Sequence, residues 1–346
     1  MKKGIFNLLE LHFSNAELQI TNKAFIVVLC VFAMLYFGAC SEDFSPKTSL
    51  ADEYVLNCVI ETNAENAKNE YMVSALISHV YDVNGFDPSV NKNDPAIEGA
   101  QVYITEMGKT YPLNGGKKYM PGYKYGDSVY LYTGRINAYH RDSVSIFAKL
   151  KNGKILTAAA RIPDDISIKL AYPFDNGFTS QIVRFLYGNG LIFNWDAANS
   201  GHLFFPRARI SYFKGPIMHP DTFYVDVPAY YEIKDGKKTP VYPAYQLNMD
   251  YNFDFSVIDT TMSLIAASDT LHEFTFDGIT VDVLEMDAAL SSYYSSVHGY
   301  LDHVTIRLDE DTYTNINGGI GIFGASRSSF SVKLGFAHYY LTMFGY

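Results

Sequence analysis

Hydrophobic and polar side chains alternate along most of this chain, which is the two-residue period of a half-buried β-strand. The alternation is clear at 143–150, where Val144, Ile146 and Ala148 fall on one side, and Asn152-Gly153 directly after it is a hairpin signal. Further strand-length segments occupy 54–60, 71–80, 97–105, 127–133 and 155–161. Short strands at even spacing predict a β-sandwich in the first half of the chain.

The second half continues the β pattern and contains one helical segment. Residues 245–257 have the strictest alternation in the chain and predict one long strand with a solvated face. A helix is predicted over 287–301, because Asp287 can cap it and Leu290, Tyr294 and Val297 follow at helical spacing. Trp195 ends an alternating segment at 191–196 and is predicted to lie in a core rather than to stack on a ligand.

These elements predict a mainly β protein with two β-sandwich domains. An immunoglobulin-like or transthyretin-like domain is expected over 54–165, where Pro163-Asp-Asp165 closes it. A second domain is expected over 166–346. In that domain Trp195, with a Tyr-bearing strand behind it, resembles the core pair of fibronectin-III-like sandwiches.

A Pro- and Tyr-rich segment around 215–245 is longer than a connection in such a domain needs. We interpret it as an insertion and a candidate contact surface, with a hairpin at Lys234-Asp-Gly-Lys237. Its candidate ligand or partner contacts are all tyrosines: Tyr224, Tyr230, Tyr231, Tyr242 and Tyr245. The alternative is that these tyrosines pack against each other as core.

The N-terminal segment predicts export and lipidation. Residues 24–39 form an uncharged apolar segment after Lys23, shorter than the about 20 residues that a membrane-spanning helix needs. A positive flank, a short apolar core and small residues at the end are typical of a signal peptide, here 1–39. Gly38-Ala39 before a cysteine resembles the bacterial lipobox, which implies acylation of Cys40 and a flexible tether over 40–53.

The residues after Cys40 suggest a destination. Ser41, Glu42 and Asp43 resemble the surface-export signal of Bacteroidetes lipoproteins, which implies the outer face of the outer membrane. The alternative is that the two carboxylates only keep the tether solvated.

Composition excludes some functional classes. The net charge of −10 argues against nucleic-acid binding, because phosphate contact needs clustered Lys and Arg. Of the three cysteines, Cys30 leaves with the signal peptide and Cys40 is acylated, so Cys58 stays without a disulfide partner. An exported chain without disulfides must be stabilised by its cores.

Motifs for catalysis are absent from the sequence. It contains no His-Glu-x-x-His and no Gly-x-Ser-x-Gly, so no metal, cofactor or catalytic residue is predicted. A triad or carboxylate pair assembled from distant residues stays open, since such sites are defined by geometry. The Gly-rich stretch near the C-terminus lacks the Lys-Ser/Thr of a phosphate loop and is interpreted as close strand packing.

That stretch, Asn315-Ile-Asn-Gly-Gly-Ile-Gly-Ile-Phe-Gly-Ala325, carries a family resemblance. With the lipobox, the strand at 99–105, the Ile162-Pro163 pair and the Tyr-rich helix, it resembles a Bacteroidetes envelope lipoprotein family known as domain of unknown function 4249. The resemblance implies a two-part β architecture and a cell-envelope lipoprotein. By analogy with similar lipoproteins, it also implies a partnership with an outer-membrane TonB-dependent transporter.

The expected function is therefore that of a non-enzymatic surface lipoprotein, held to the outer membrane by its lipid anchor. It would act as a binding or accessory module for a transporter, an extracellular glycan or a peptide. One alternative is a hydrolase of extracellular polysaccharide or peptide, and another is an adhesive or structural surface subunit with a sheet edge open to a donated strand.

Overall fold

A computed structural model describes ten ranges of the chain. They are 53–80, 94–123, 125–172, 182–183, 190–198, 201–214, 221–268, 274–298, 313–330 and 333–336. Within these ranges, no helix has the length and apolar character needed to cross a membrane.

The protein is mainly β, as the alternation predicts. The strands are β1 (Tyr54–Asn63), β2 (Glu70–His79), β3 (Gln101–Glu106), β4 (Lys109–Tyr119), β5 (Ser128–Asn137), β6 (Ser143–Lys149), β7 (Ile155–Arg161), β8 (Ser167–Tyr172), β9 (Ile182–Val183), β10 (Gly190–Asp196), β11 (Phe204–Lys214), β12 (Asp221–Asp226), β13 (Tyr230–Lys234), β14 (Lys237–Val241), β15 (Asp250–Asp254), β16 (Phe274–Met286), β17 (Ile320–Phe330) and β18 (Gly335–Phe336). The helices are α1 (Phe255–Ser268) and α2 (Ala288–His298).

The first half has the sandwich-like arrangement that the sequence predicts. Strand β4 bends, so that residues 109–113 pair with β3 and residues 114–119 pair with β5. The two layers enclose one core of alternating side chains, among them Leu56, Ile77, Tyr132 and Ile146. The predicted hairpin at Asn152-Gly153 joins β6 to β7, with Gly153 at a φ of 87°.

The Gly-rich strand β17 is an interior strand of the largest sheet, fourth of eleven. Its order is β12-β11-β16-β17-β1-β2-β5-β4-β3-β6-β7, with β17 parallel to β1 and antiparallel to β16. Phe323 and Ala325 of this strand enter the first core. The sheet therefore continues across the predicted boundary after residue 165, and the division into two domains stays a prediction.

Close packing explains the glycines of β17. A Cβ on Gly321, at a φ of 115°, would lie 2.2 Å from the carbonyl oxygen of Leu56, and one on Gly324 would lie 2.4 Å from Cγ of Leu290 in α2. The backbone contact and the positive φ require glycine at position 321, whereas a side chain at position 324 would have to displace Leu290. The interpretation of the stretch as close strand packing is confirmed.

The second half forms its own core between β11, β16 and the three-stranded sheet β15-β10-β8. Trp195 is buried there, with its ring centroid 5.8 Å from that of Phe193 and 5.6 Å from that of Phe204. The prediction that Trp195 is a core residue is confirmed.

The single long strand predicted over 245–257 is wrong. Strand β15 ends at Asp254, and α1 begins at the next residue. The Asp254 carboxylate accepts a hydrogen bond from the amide of Ser256 at 2.7 Å, which is the bond of a helix N-cap. The apolar face of α1, with Ile258, Met262 and Ile265, then packs into the second core.

The helix predicted over 287–301 is confirmed as α2 up to His298, and 299–301 lie outside the described residues. Oδ1 of Asp287 accepts a hydrogen bond from the amide of Leu290 at 2.8 Å, as an N-cap does. The buried face of α2 packs against β17 beside Gly324. The start of α2 therefore lies on β17, the strand between β16 and β1 in the largest sheet.

Candidate functional sites

Three of the five candidate tyrosines lie around one face of β11 and β12. On this face, Phe205, Arg207 and Arg209 alternate along β11, and Asp226 of β12 lies opposite Arg209 in the strand register. Tyr224 lies two residues before Asp226 in β12, on the same side of the strand. We call this surface the aromatic–ionic face, and its residues are Phe205, Arg207, Arg209, Tyr224, Asp226, Tyr242 and Tyr245.

Two ion pairs run through this face. Nε of Arg207 donates to Oδ2 of Asp282 at 2.7 Å, and Nε of Arg209 donates to Oδ1 of Asp226 at 2.8 Å. Asp282 is 2% exposed, and burial raises its pKa although Arg207 opposes the shift. The guanidinium carbon of Arg209 also lies 6.0 Å from the ring centroid of Tyr224, within reach of a cation–π interaction.

Aromatic rings form a wall beside these ion pairs. Tyr242 and Phe205 line a pocket of about 250 Å³, with Arg207 and Asp226 also in its lining. The ring centroid of Tyr245 lies 5.0 Å from that of Phe205 and 4.9 Å from that of Tyr294 in α2. Burial, together with a neighbouring tyrosine, raises the pKa of Tyr245 to about 12.

The tyrosines of this region differ in exposure. Tyr224, Tyr230 and Tyr242 are exposed by 64%, 50% and 49%. Tyr231 is partly buried against the second core, and its hydroxyl lies 2.9 Å from Oγ1 of Thr261 in α1. The predicted hairpin is β13–β14, with Asp235 and Gly236 at its turn, and it carries Tyr230 and Tyr231.

A larger cleft lies near the start of α2. It has a volume of about 560 Å³, and we call it the junction cleft. Its lining comes from five separate stretches, represented by Arg141, Arg161, His202, Asp287 and Tyr313.

One carboxylate of the junction cleft is held in ion pairs. The Asp164 carboxylate lies 2.8 Å from Nδ1 of His140 and 2.6 Å from Nε of Arg141. Burial alone would raise the pKa of Asp164, but the hydrogen bonds from Arg141 and His140 outweigh it and the pKa is lowered. Asp164 therefore stays ionised and neutralises Arg141.

The other carboxylate, Asp287, is almost fully buried. Burial raises its pKa to about 6, although amide donors such as that of Leu290 act in the opposite direction. Two carboxyl groups in one cleft therefore have pKa values shifted in opposite directions, which is the pattern of an acid–base pair.

His202 is oriented by a buried carboxylate. Its Nδ1 lies 2.7 Å from Oε1 of Glu285, which is 1% exposed. A neutral His202 that donates Nδ1–H to Glu285 keeps Nε2 as a hydrogen-bond acceptor. Sequence reasoning missed this pair and the cleft around it, because the residues are far apart in the chain.

The remaining predicted sites have different outcomes. Cys40, Ser41, Glu42 and Asp43 lie outside the described residues. Cys58 is buried, and burial raises the pKa of its thiol to about 12, so it is chemically inert. In the described ranges, no group of three or more His, Cys, Asp or Glu side chains is placed to hold a metal ion.

No protein-family model and no curated protein matches this chain.

Proposed function

We propose that this protein is a lipid-anchored protein of the outer membrane that acts as a non-enzymatic binding or accessory module. The resemblance to the Bacteroidetes envelope lipoprotein family and the lipobox at Cys40 support the location. The observation that carries the binding role is the aromatic–ionic face, where Tyr224 lies beside Arg209 and Tyr242 lines a pocket with Arg207 and Asp226.

The chemistry of this face suits recognition of an extracellular partner. Tyrosine contributes a large contact area with little loss of conformational entropy and a hydroxyl that hydrogen-bonds at the rim. Arg207 and Arg209 are held by Asp282 and Asp226, so that they are already oriented before a partner binds. A glycan, a peptide or a transporter loop with polar groups could contact such a surface without its reorganisation.

The test uses the full-length protein purified in a mild detergent. Copurification of a TonB-dependent transporter from envelope membranes, or a hit on a glycan and peptide panel, is expected. Tyr242→Ala should reduce that binding by about tenfold, as loss of an aromatic contact of about 1–2 kcal/mol does. Tyr119→Ala is the matched control, because Tyr119 is 78% exposed on β4.

Two results would contradict the binding role. One is an absence of binding in both the copurification and the panel. The other is equal binding by Tyr242→Ala and the wild type when their melting temperatures agree.

The location has its own test. Cys40→Ala should move the protein out of the outer-membrane fraction, because the acyl chains supply the anchor. Substitution of Glu42 and Asp43 by Ala should leave the protein in the outer membrane but protect it from protease added to intact cells. Outer-membrane fractionation of Cys40→Ala would contradict the lipid anchor.

A hydrolase is the second candidate, and the junction cleft is the observation that favours it. Asp164 and Asp287 line this cleft with pKa values shifted in opposite directions, as in a general acid and its partner carboxylate. Release of reducing sugar or free amines from extracellular polymers would support it, if Asp164→Asn abolishes the release. If Asp164→Asn releases these products as fast as the wild type, the junction cleft is not the active site.

A further inference from the structure

Arg161 lines the junction cleft with a positive charge that no described carboxylate neutralises. Its Nε donates to the carbonyl oxygen of Arg141 at 3.2 Å, which orients the guanidinium. Within the part of the chain that the structure describes, no carboxylate forms an ion pair with Arg161. The terminal nitrogens of its planar fork are therefore available to a ligand.

The acidic groups of the cleft are already engaged. Asp164 is paired with Arg141 and His140. Oδ1 of Asp287 accepts the amide of Leu290 at 2.8 Å, and Asp287 is only 3% exposed. Neither carboxylate is therefore paired with Arg161, and an anionic ligand can take that place.

His202 supplies a second, different contact. Glu285 holds its imidazole through Nδ1, and His202 belongs to the lining of the same cleft. Its Nε2 is then left to contact a hydroxyl group, which can both donate and accept a hydrogen bond. A ligand that satisfies both groups carries an anion for Arg161 and a hydroxyl for His202.

We propose that the junction cleft binds a small hydroxy-carboxylate, such as a uronic acid unit, with its carboxylate on Arg161 and a hydroxyl on His202. Arginine favours carboxylates because its fork can donate two parallel hydrogen bonds to them. The volume of about 560 Å³ lies within the about 300–1,000 Å³ typical of small-molecule sites. This site is separate in its residues from the aromatic–ionic face, and the inference does not depend on the proposed function.

The test is calorimetric titration of the purified full-length protein with D-glucuronate. D-glucose tests the carboxylate and acetate tests the hydroxyl, each at the same ionic strength. Saturable binding of D-glucuronate is expected, with both controls weaker by about tenfold or more.

Variants connect the binding to the proposed residues. Arg161→Gln removes the charge from an exposed side chain and should weaken D-glucuronate binding by about tenfold or more without a change in melting temperature. Arg135→Gln is the control, because Arg135 is an exposed arginine paired with Glu70 on a distant strand. It should leave the affinity unchanged.

Three results would overturn the inference. The first is no saturable binding of D-glucuronate, and the second is equal affinity for D-glucose. The third is unchanged D-glucuronate affinity in Arg161→Gln. Because Tyr242→Ala leaves the cleft intact, a loss of partner binding in that variant with normal D-glucuronate affinity would separate the two sites.

Discussion

Replacement of Asp287 by Asn tests the burial of a carboxyl group at the start of α2. Asp287 is 3% exposed, and burial raises its pKa from 3.8 to about 6. The side chain also caps α2 through the amide of Leu290. Asn is about as good an N-cap as Asp, so the substitution removes the ionisation but keeps the cap acceptor.

The pKa shift sets both the sign and the size of the effect. The folded protein holds the Asp287 proton more tightly than the unfolded chain, so ionisation favours the unfolded chain. The penalty is absent below the unfolded pKa of 3.8 and fully present above about 6. A shift of about two units corresponds to about 3 kcal/mol.

The measured quantity is the unfolding free energy of Asp287→Asn minus that of the wild type. We expect this difference to rise by up to about 3 kcal/mol between about pH 4 and pH 7. Its absolute value includes a cost for the new amide N–H groups, which face the backbone amides that now donate to the carboxylate. The change with pH is free of that cost, because Asn does not titrate.

Urea unfolding followed by fluorescence of the single tryptophan measures this difference across the pH range. Asp254→Asn is the matched control, because Asp254 caps α1 through Ser256 but is exposed. A difference for Asp287→Asn that stays constant between about pH 4 and pH 7 would refute the burial argument.

Three further predictions concern stability, each measured as a change in unfolding free energy. Gly321→Ala should cost about 2–4 kcal/mol through strain and a backbone clash, while Gly116→Ala, which has open space, should be nearly neutral; equal effects would contradict the close packing of β17. Tyr231→Phe should cost about 1 kcal/mol by loss of its hydrogen bond to α1, and Tyr230→Phe less than about 0.5 kcal/mol. A larger cost for Tyr230→Phe than for Tyr231→Phe would contradict the prediction. Trp195→Ala should lower the unfolding free energy by about 3–5 kcal/mol, measured by circular dichroism because the variant has no tryptophan. A loss below about 1 kcal/mol would contradict the packed core around this side chain.

Local pattern was sufficient for most strands and for α2. The alternation at 143–150 predicted β6, and the glycine after Asn152 predicted its hairpin, because both signals act between near neighbours in the chain. The cap at Asp287 likewise acts within one helical turn. These features needed no knowledge of the tertiary structure.

The pattern failed at 245–257, where a local signal for a helix competed with the alternation. Asp254 can cap, and Ile258, Met262 and Ile265 are spaced for one helical face. The alternation of the preceding residues continues past Asp254 through Phe255 and Val257, so it concealed the helix start. Burial of the apolar face of α1 in the second core decided between the two.

The candidate tyrosines show the same limit at the level of a surface. The sequence selected Tyr224, Tyr242 and Tyr245 by composition, but it could not show that Arg207 and Asp282 lie beside them. It also could not separate Tyr231, which packs on the second core, from the exposed Tyr230. Exposure depends on what covers a side chain, and the covering residues are distant in sequence.

By itself, the sequence determined the β-rich class, most strand positions, the helix after Asp287 and the core role of Trp195. Lipidation at Cys40 stays a prediction from the sequence. Only the tertiary structure decided that β17 joins the two halves of the largest sheet and that Arg161, His202 and Asp287 meet in one cleft. The physical reason is range. Periodicity and capping are set by neighbours within a few residues. Clefts are set by segments that lie far apart in the chain, such as those that bring Asp164 and Asp287 into one lining.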